Sequence, residues 1–286
     1  MTISVLVPSS LAREADKREA TRKLGYVARA AAVFRVDRMT VFPDPEGRRR
    51  YGDGFVETVL RYAATPPYLR KEVWDERDEL EYAGVMPPLR VRSQTGSGSN
   101  GSGSLRQGIV TEVGADGRVR VNCGLQHPIS LPVPDGVAVG RRERVTVRIS
   151  SREPVRAKLV DEPSPGFVVD RADLDAVLAR ADGLTVATSR HGQSLTPGRL
   201  GRLGERADGR FVVAFGAPER GLPAMLGVDP ATVREDGHGE TGRFDLWLDT
   251  VPNQGSEVVR TEEAMFATLA CLGLTTNRPE TDTEQE

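Results

Sequence analysis

The chain has 286 residues, 38% apolar and 28% charged, with 39 Lys+Arg against 41 Asp+Glu and a net charge of −2. That composition supports a packed core and excludes wholesale disorder, collagen-like repetition and a globally basic nucleic-acid binder. No uncharged apolar run nears the roughly 18 residues of a spanning helix and no charged-then-apolar leader opens the chain, so a cytoplasmic protein without membrane association is expected.

In chain order, Ile3–Val7 is a short apolar run stopped by Pro8 and predicts a buried strand. Residues 11–35 predict a helix, with Leu24, Val27, Ala31 and Phe34 at spacings of three and four. Met39–Phe42 predicts a second strand, Arg48, Arg49 and Arg50 fall in the polar turn after it, and Phe55–Tyr62 predicts a second helix. Strand, helix, strand, helix implies a parallel α/β sheet. Residues 96–104 read GSGSNGSGS and hold no side chain able to build a core. They predict a flexible tether spanning about 15–18 Å.

Beyond the tether the texture changes. Gly108–Val113, Arg118–Asn122, Ile129–Val133, Arg144–Ile149 and Val155–Val160 are short alternating runs separated by turn residues. Strands at this spacing suggest a small β-barrel of the oligonucleotide-binding (OB-like) kind. Between 105 and 158 ten basic residues stand against five acidic ones, so the barrel is the basic part of the molecule. From about 165 the α/β alternation resumes: strands at Phe167–Asp170, Leu184–Thr188, Phe211–Phe215 and Phe244–Leu248, helices at Ala172–Ala181 and Thr261–Leu272, the last with Thr261 as its cap. Glu280–Glu286 carries four acidic groups and no apolar one, and predicts a disordered tail. The expected organisation is an α/β domain in two parts (1–95 and 161–275), a tether (96–104), an inserted barrel (105–160) and an acidic tail (276–286).

Two cysteines, Cys123 and Cys271, and three scattered histidines cannot make a disulfide framework or a four-ligand zinc site, so no metal is expected. Gly237–Gly242 is a formal GxGxxG. It follows a polar loop and precedes a strand, the reverse of the order a dinucleotide needs, so it reads as a loop. Three better-placed loops follow strands: Thr188–Gly192, Phe215–Gly221 and Leu248–Gly255. In open α/β sheets ligands sit beyond the carboxyl ends of strands, so the three loops together suggest one pocket whose backbone groups recognise a small ligand. Arg18, Arg22, Gly25 and Arg29 fall at spacings of four, three and four, a cationic helix face with a glycine where something could lie close; a solvated face would read the same way. Glu262 and Glu263 suit the start of the last helix.

Val7-Pro-Ser-Ser-Leu11, the run Thr21–Val36 containing Ala28-Arg-Ala-Ala31, Tyr82-Ala-Gly-Val-Met-Pro-Pro-Leu89, Phe215–Gly221 and Val251-Pro-Asn-Gln-Gly-Ser-Glu-Val-Val-Arg-Thr-Glu-Glu-Ala264 resemble archaeal and eukaryotic RNA methyltransferases of the SPOUT superfamily. The resemblance covers both α/β segments. It implies a trefoil-knotted α/β domain with an OB-like insertion, active as a homodimer, binding S-adenosylmethionine and modifying RNA, with ribosomal RNA and uridine N3 as the acceptor. The family's arginine in an "ARAA"-like helix matches Arg29, which would face the target nucleotide from the partner subunit. Its Gly-rich turn matches Gly216, Ala217, Glu219 and Gly221. Its knot loop matches Leu248, Thr250, Val251, Pro252, Asn253, Gln254 and Gly255, running into Thr261, Glu263 and Ala264. Thr188, Ser189, Arg190 and Gly192 complete the cofactor set. Glu263 is the implied proton acceptor. Many relatives carry Asn where this chain has Asp249, which is therefore left out of the set, and the Gly/Ser segment replaces their His-rich phrase.

RNA contacts are expected from Arg18 and Arg22 and from the barrel's Arg118, Arg120, Arg141, Arg142 and Arg144. The rival is a non-catalytic RNA-binding or ribosome-assembly protein that keeps the fold. A nucleotide-dependent dehydrogenase fails on the context of the GxGxxG, and a DNA methyltransferase differs only in substrate.

Overall fold

The computed structural model describes residues 1–47, 50–91, 104–134, 136–236 and 242–275. The expected tether before Ser104, Arg48 and Arg49, the 237–241 part of the GxGxxG and the acidic tail lie outside the described residues. The chain opens with β1 (Thr2–Pro8), α1 (Lys17–Val33), β2 (Arg38–Phe42), α2 (Phe55–Ala64) and the short α3 (Arg70–Val73). Next come β3 (Ser104–Val113), β4 (Arg118–Asn122), β5 (Ile129–Pro132), β6 (Arg144–Arg152) and β7 (Val155–Val160). The last stretch holds β8 (Val168–Arg171), α4 (Leu174–Leu178), β9 (Leu184–Ser194), α5 (Pro197–Ala207), β10 (Arg210–Ala214), α6 (Leu222–Leu226), α7 (Pro230–Asp236), β11 (Leu246–Asp249) and α8 (Thr261–Gly273).

The apolar runs before and after the insertion pair side by side, all parallel, in the order β11-β9-β10-β1-β2-β8. Val5 of β1 registers with Val213 of β10 on one side and Met39 of β2 on the other. Continuous apolar strands of this kind require cover on both faces. One face packs Val5, Val213 and Leu248 under α1, α2 and α8; the other packs Leu6, Val212 and Trp247 under α4, α6 and α7.

The apolar stripe of α1 is buried as its spacing predicts, with Leu24, Val27 and Ala31 inaccessible and Phe34 edge-on to Phe266 of α8. The helix starts at Lys17 rather than 11, because Asp16 is extended and its carboxylate accepts the Arg18 amide at 2.9 Å. Thr261 is not the cap of α8: Arg260 holds that position, and the Glu263 carboxylate reaches back to its amide at 2.8 Å. Helix α5 was absent from the sequence reading. Its glycines at 198, 201 and 204 hide a Leu200/Leu203/Ala207 stripe, while Thr196 caps it by accepting from Arg199.

The inserted segment forms one antiparallel sheet, β5-β4-β3-β6-β7, whose outer strands β5 and β7 lie against each other, so the sheet is nearly closed and barrel-like. Val110, Val121, Val147 and Ile149 fill it. The barrel is docked on the segment between α2 and α3. Tyr68 Oη donates to the Gln107 carbonyl at 2.9 Å, Arg144 to Thr65 Oγ1 at 3.1 Å and Arg142 to the Glu72 carbonyl at 3.2 Å. Burial in this seam pushes the Tyr68 hydroxyl up to about 12.

Trp247 is wholly inaccessible and fixes β11 against the α6/α7 layer. Trp247→Ala is expected to cost about 3–5 kcal/mol of stability, read from the midpoint of urea unfolding.

Candidate active site

The middle of β9 and the carboxyl ends of β10 and β11 converge on a cavity of about 420 Å³, inside the usual range of small-ligand pockets. All three expected loops contribute. Thr188, Ser189 and Arg190 come from the first, Gly216, Ala217, Glu219 and Gly221 from the second, and Thr250, Val251 and Gln254 from the third. Thr261 and Ala264 add the first turn of α8. Gly192, Leu248, Pro252, Asn253 and Gly255, which the resemblance placed with them, are not in the lining. Leu248 is buried in the core, and Gly192 packs behind the cavity instead. His191, Asp249, Glu257, Val258 and Val259 line it and were missed.

Two backbone approaches set the shape. The 188–192 stretch is an excursion within β9: Ala187 registers with Trp247 of β11, and pairing resumes six residues later at Gln193 with Leu248. A Cβ on Gly192 would stand 2.7 Å from the Leu248 backbone, so only glycine lets the excursion close. A Cβ on Gly216 would stand 2.9 Å from Gly221 Cα and from the Leu222 amide. That turn is tightened by reciprocal Ala217–Arg220 backbone bonds of 3.1 and 3.2 Å, with Glu219 at φ 63°. Thr261 Oγ1 donates to the Gly216 carbonyl at 2.8 Å and Thr268 Oγ1 to Thr250 Oγ1 at 2.7 Å, so α8 is pinned to the second and third loops at once. Arg220 anchors the turn from outside, on Glu46 at 2.8 Å and Asp44 at 3.6 Å.

The lining combines aliphatic walls at Pro223, Val251, Val258 and Val259 with carboxylates at Glu219, Asp249 and Glu257, the Arg190 guanidinium and the His191 imidazole. Burial raises the Asp249 carboxyl above its ordinary value, against the Val251 amide at 3.1 Å and the His191 ring, which both favour the anion. An apolar slot with backbone groups and carboxylates fits a ligand with a flat heterocycle at one end and positive charge at the other. In the first turn of α8, Glu262 is buried with no hydrogen-bond partner for Oε2 among the described residues, and burial raises its carboxyl too. Lys23, 5% exposed, donates to the Leu11 carbonyl and to Glu14, both at 2.9 Å, and its charge favours the Glu262 anion. Lys23 sits next to Leu24 on the buried side of α1, which spacing alone did not reveal.

The other expected residues lie elsewhere. Arg29 donates to the Pro88 and Leu89 carbonyls at 2.8 Å each and is not among the lining residues. What lies close to Gly25 is the Met86–Pro87 segment of the same chain. Glu263 is exposed and its carboxylate serves the α8 cap. Arg18 is exposed, whereas Arg22 is paired with Glu19 at 2.6 Å. On the barrel, Arg118, Arg120 and Arg141 are exposed, Arg118 holding Ser130 at 2.8–2.9 Å. Arg142 and Arg144 are also exposed, and each places one donor on the docked seam. No group of three or more His, Cys, Asp or Glu placed to hold a metal occurs among the described residues. No described helix is long and apolar enough to cross a membrane.

Residues 2–272 match a family model described as "Putative RNA methyltransferase". An uncharacterized protein of Haloarcula marismortui is 73% identical over 96% of this chain and 100% of its own length. Another, of Halobacterium salinarum, is 68% identical over 96% and 100%. The human 28S rRNA (uridine-N(3))-methyltransferase is 31% identical over 95% of this chain and 77% of its own.

Gly216→Ala forces backbone to move where the turn meets α6, so it should lower both thermal stability and the affinity of any ligand in the cavity by about tenfold or more, measured by calorimetric titration. Glu262→Gln tests the buried carboxyl. Because its folded value is raised, the folded chain binds the proton more tightly than the unfolded one. The stabilisation is full below the ordinary glutamate range and is lost as pH rises through the raised value. Glu262→Gln should therefore match the wild type in melting temperature near pH 3.5 and exceed it near pH 8, about one pH decade or more beyond the carboxylate range. An unchanged difference across that span would contradict the assignment.

Proposed function

We propose, from the premise that the chain belongs to this family of RNA methyltransferases, that its cavity binds S-adenosylmethionine and that the acceptor is uridine N3 in ribosomal RNA. The enzyme class follows from membership: the chain is an RNA methyltransferase with a methyl donor and an RNA substrate. The observation that carries the cofactor reading is the meeting of three strand-end loops in one cavity with aliphatic walls and carboxylates. The uridine reading is supported by the similarity to the human 28S rRNA (uridine-N(3))-methyltransferase.

When bound, S-adenosylmethionine supplies an electrophilic methyl group on a positively charged sulfur. Val251, Val258 and Val259 would flank the adenine, and Glu219, Asp249 or Glu257 would meet positive charge. Uridine N3 must lose its proton before its lone pair can accept the methyl group. A guanidinium beside it favours that anion, and this role falls to Arg29. Since Arg29 is outside its own chain's cavity lining, it would reach the acceptor of a second copy, in a homodimer. The packed pair α1 and α8 offers a face for that copy, with Tyr26 41%, Val33 46% and Leu274 78% exposed. The SPOUT knot belongs to this reading as well: the segment from β11 to α8 would be threaded through the loops it is pinned to. The barrel, OB-like on this view, would grip RNA through Arg118, Arg120 and Arg141.

Catalysis here is positioning and electrostatics, so deleting one donor at the developing anion costs about 10²–10³ in rate. Arg29→Ala is expected to lose methyl transfer to ribosomal RNA by that factor while S-adenosylmethionine affinity stays near wild type. The readouts are mass spectrometry of digested nucleosides for N3-methyluridine and calorimetric titration of the cofactor. Transfer at the wild-type rate, or a loss of cofactor affinity large enough to account for the lost transfer, would overturn this division of roles.

A further inference from the structure

A second cavity, of about 540 Å³, lies in the seam between the barrel and the α/β body, walled by the end of α2, the segment 83–91 and the start of β3. Its volume again falls within the range of small-ligand pockets. The charged residues lining it are Arg70, Arg90 and Arg106; among the described residues no carboxylate lines it. Its remaining walls are largely apolar, with Met86, Pro87 and Leu105 facing the same space as Tyr68.

The arginines are held in place. The Arg70 guanidinium lies 4.5 Å from the centroid of the Tyr62 ring, and its Nε donates to the Thr65 carbonyl at 3.2 Å. Arg106 Nη1 donates to the Cys123 and Gly124 carbonyls at 3.3 and 3.1 Å. These bonds use part of each fork's five donors and leave the rest for a ligand. Arg90 is exposed at the rim. Guanidinium forks suit phosphates and the faces of flat rings, and apolar side chains suit an unstacked base. Sulfate or a metabolite carboxylate would satisfy the forks but leave the apolar walls without a partner.

The cavity is also tied to the proposed acceptor site. Arg29 grips the carbonyls of Pro88 and Leu89, two residues of the cavity wall. A base facing Arg29 would therefore bring the next nucleotides of its strand toward this wall. We infer that the seam cavity is a subsite for an unstacked nucleotide of single-stranded substrate RNA, flanking the nucleotide that is methylated. This rests on the RNA-methyltransferase reading for the placement of Arg29, while the cavity's own chemistry stands apart from it.

The test uses the full chain and a fluorescein-labelled oligouridylate 12-mer carrying 4-thiouridine. Gly84 lines the cavity with no described atom within 4 Å of where its Cβ would stand, so Gly84→Phe starts its side chain from open space at the cavity wall. Arg90→Glu reverses a rim charge. Each variant is expected to weaken oligomer binding about tenfold, the scale of one lost stacked base. S-adenosylmethionine should protect both from thermal unfolding as it does the wild type. Irradiated 4-thiouridine should crosslink to peptides spanning 63–70 or 83–91. Wild-type binding by both variants overturns the inference, as does weakening by Arg90→Glu alone, which would leave a charged surface and no pocket. Protection of those peptides by free uridine 5′-monophosphate at the oligomer's concentration would assign the cavity to a free nucleotide, and also overturn it. Failure of the cofactor to protect the wild type, with the crosslinks present, would overturn the cofactor reading and uphold this one.

Discussion

The site depends on backbone meeting backbone at two glycines. Gly216 brings the turn after β10 onto the start of α6, and Gly192 closes the β9 excursion onto β11. Neither approach tolerates a methyl group, so chain geometry, rather than any charged side chain, sets the outline of the cavity. Threonine hydroxyls then lock that outline. Thr261 donates to the Gly216 carbonyl and Thr268 to Thr250, and each bond contributes about 1 kcal/mol net. Their larger effect is positional: α8 cannot slide without stripping a partner from a buried polar group, and the penalty for that exceeds the bond's own contribution. A ligand that bridges the three loops would bind walls already fixed in place, and so would lose little free energy to ordering them.

Beneath this frame sits an arrangement of charge that favours neither simple stability nor simple solvation. Lys23 is buried in α1 with the Leu11 carbonyl and Glu14 as partners, and it faces the carboxyl of Glu262 at the start of α8. Lys23 thereby links the exit of β1 to the helix that carries the cavity's far wall. A buried amine with two good partners is expensive to break, because removing either carboxylate leaves the other to balance a desolvated charge. The raised carboxyls of Asp249 and Glu262 show the cost from the opposite side: burial, not a missing cation alone, is what disfavours their anions.

The sheet was legible because continuous apolar runs such as Ile3–Val7 and Phe211–Phe215 leave few alternatives, and the barrel because Arg118–Asn122 and Val155–Val160 alternate between turn residues. That the three segments meet at one cavity was legible from their place beside strands, although Thr188–Gly192 lies within β9 and does not follow it. What stayed hidden has a physical reason in each case. Lys23 is a lysine one position from the helix stripe, and only the path of residues 11–14 over α1 makes that position buried. Asp249 stands outside the expected set because the resemblance implies Asn there, yet it lines the cavity and its carboxylate closes a turn onto the Val251 amide. Either residue type can accept that amide, so the turn survives the exchange and only the local charge changes. Helix α5 was hidden by three glycines whose low propensity the packing of Leu203 and Ala207 overrides.

The barrel's arginines divide by what the docked seam does to them. Composition alone makes the segment basic and invites every arginine into one RNA-binding surface. Docking ties Arg142 and Arg144 to the seam while leaving them exposed: one donor of each holds the Glu72 carbonyl and the Thr65 hydroxyl, respectively. The same seam gathers Arg70, Arg90 and Arg106 around a cavity that no carboxylate among the described residues lines. Arg118, Arg120 and Arg141 remain on the outer face, where exposed charge acts mainly through long-range, salt-screened attraction. A strand drawn in by the outer arginines would lose that attraction as salt rises, whereas a nucleotide held in the seam would keep its apolar contacts. Salt dependence of binding thus separates the steering face from the gripping one, and it is the docking of the barrel, more than the count of its arginines, that creates the distinction.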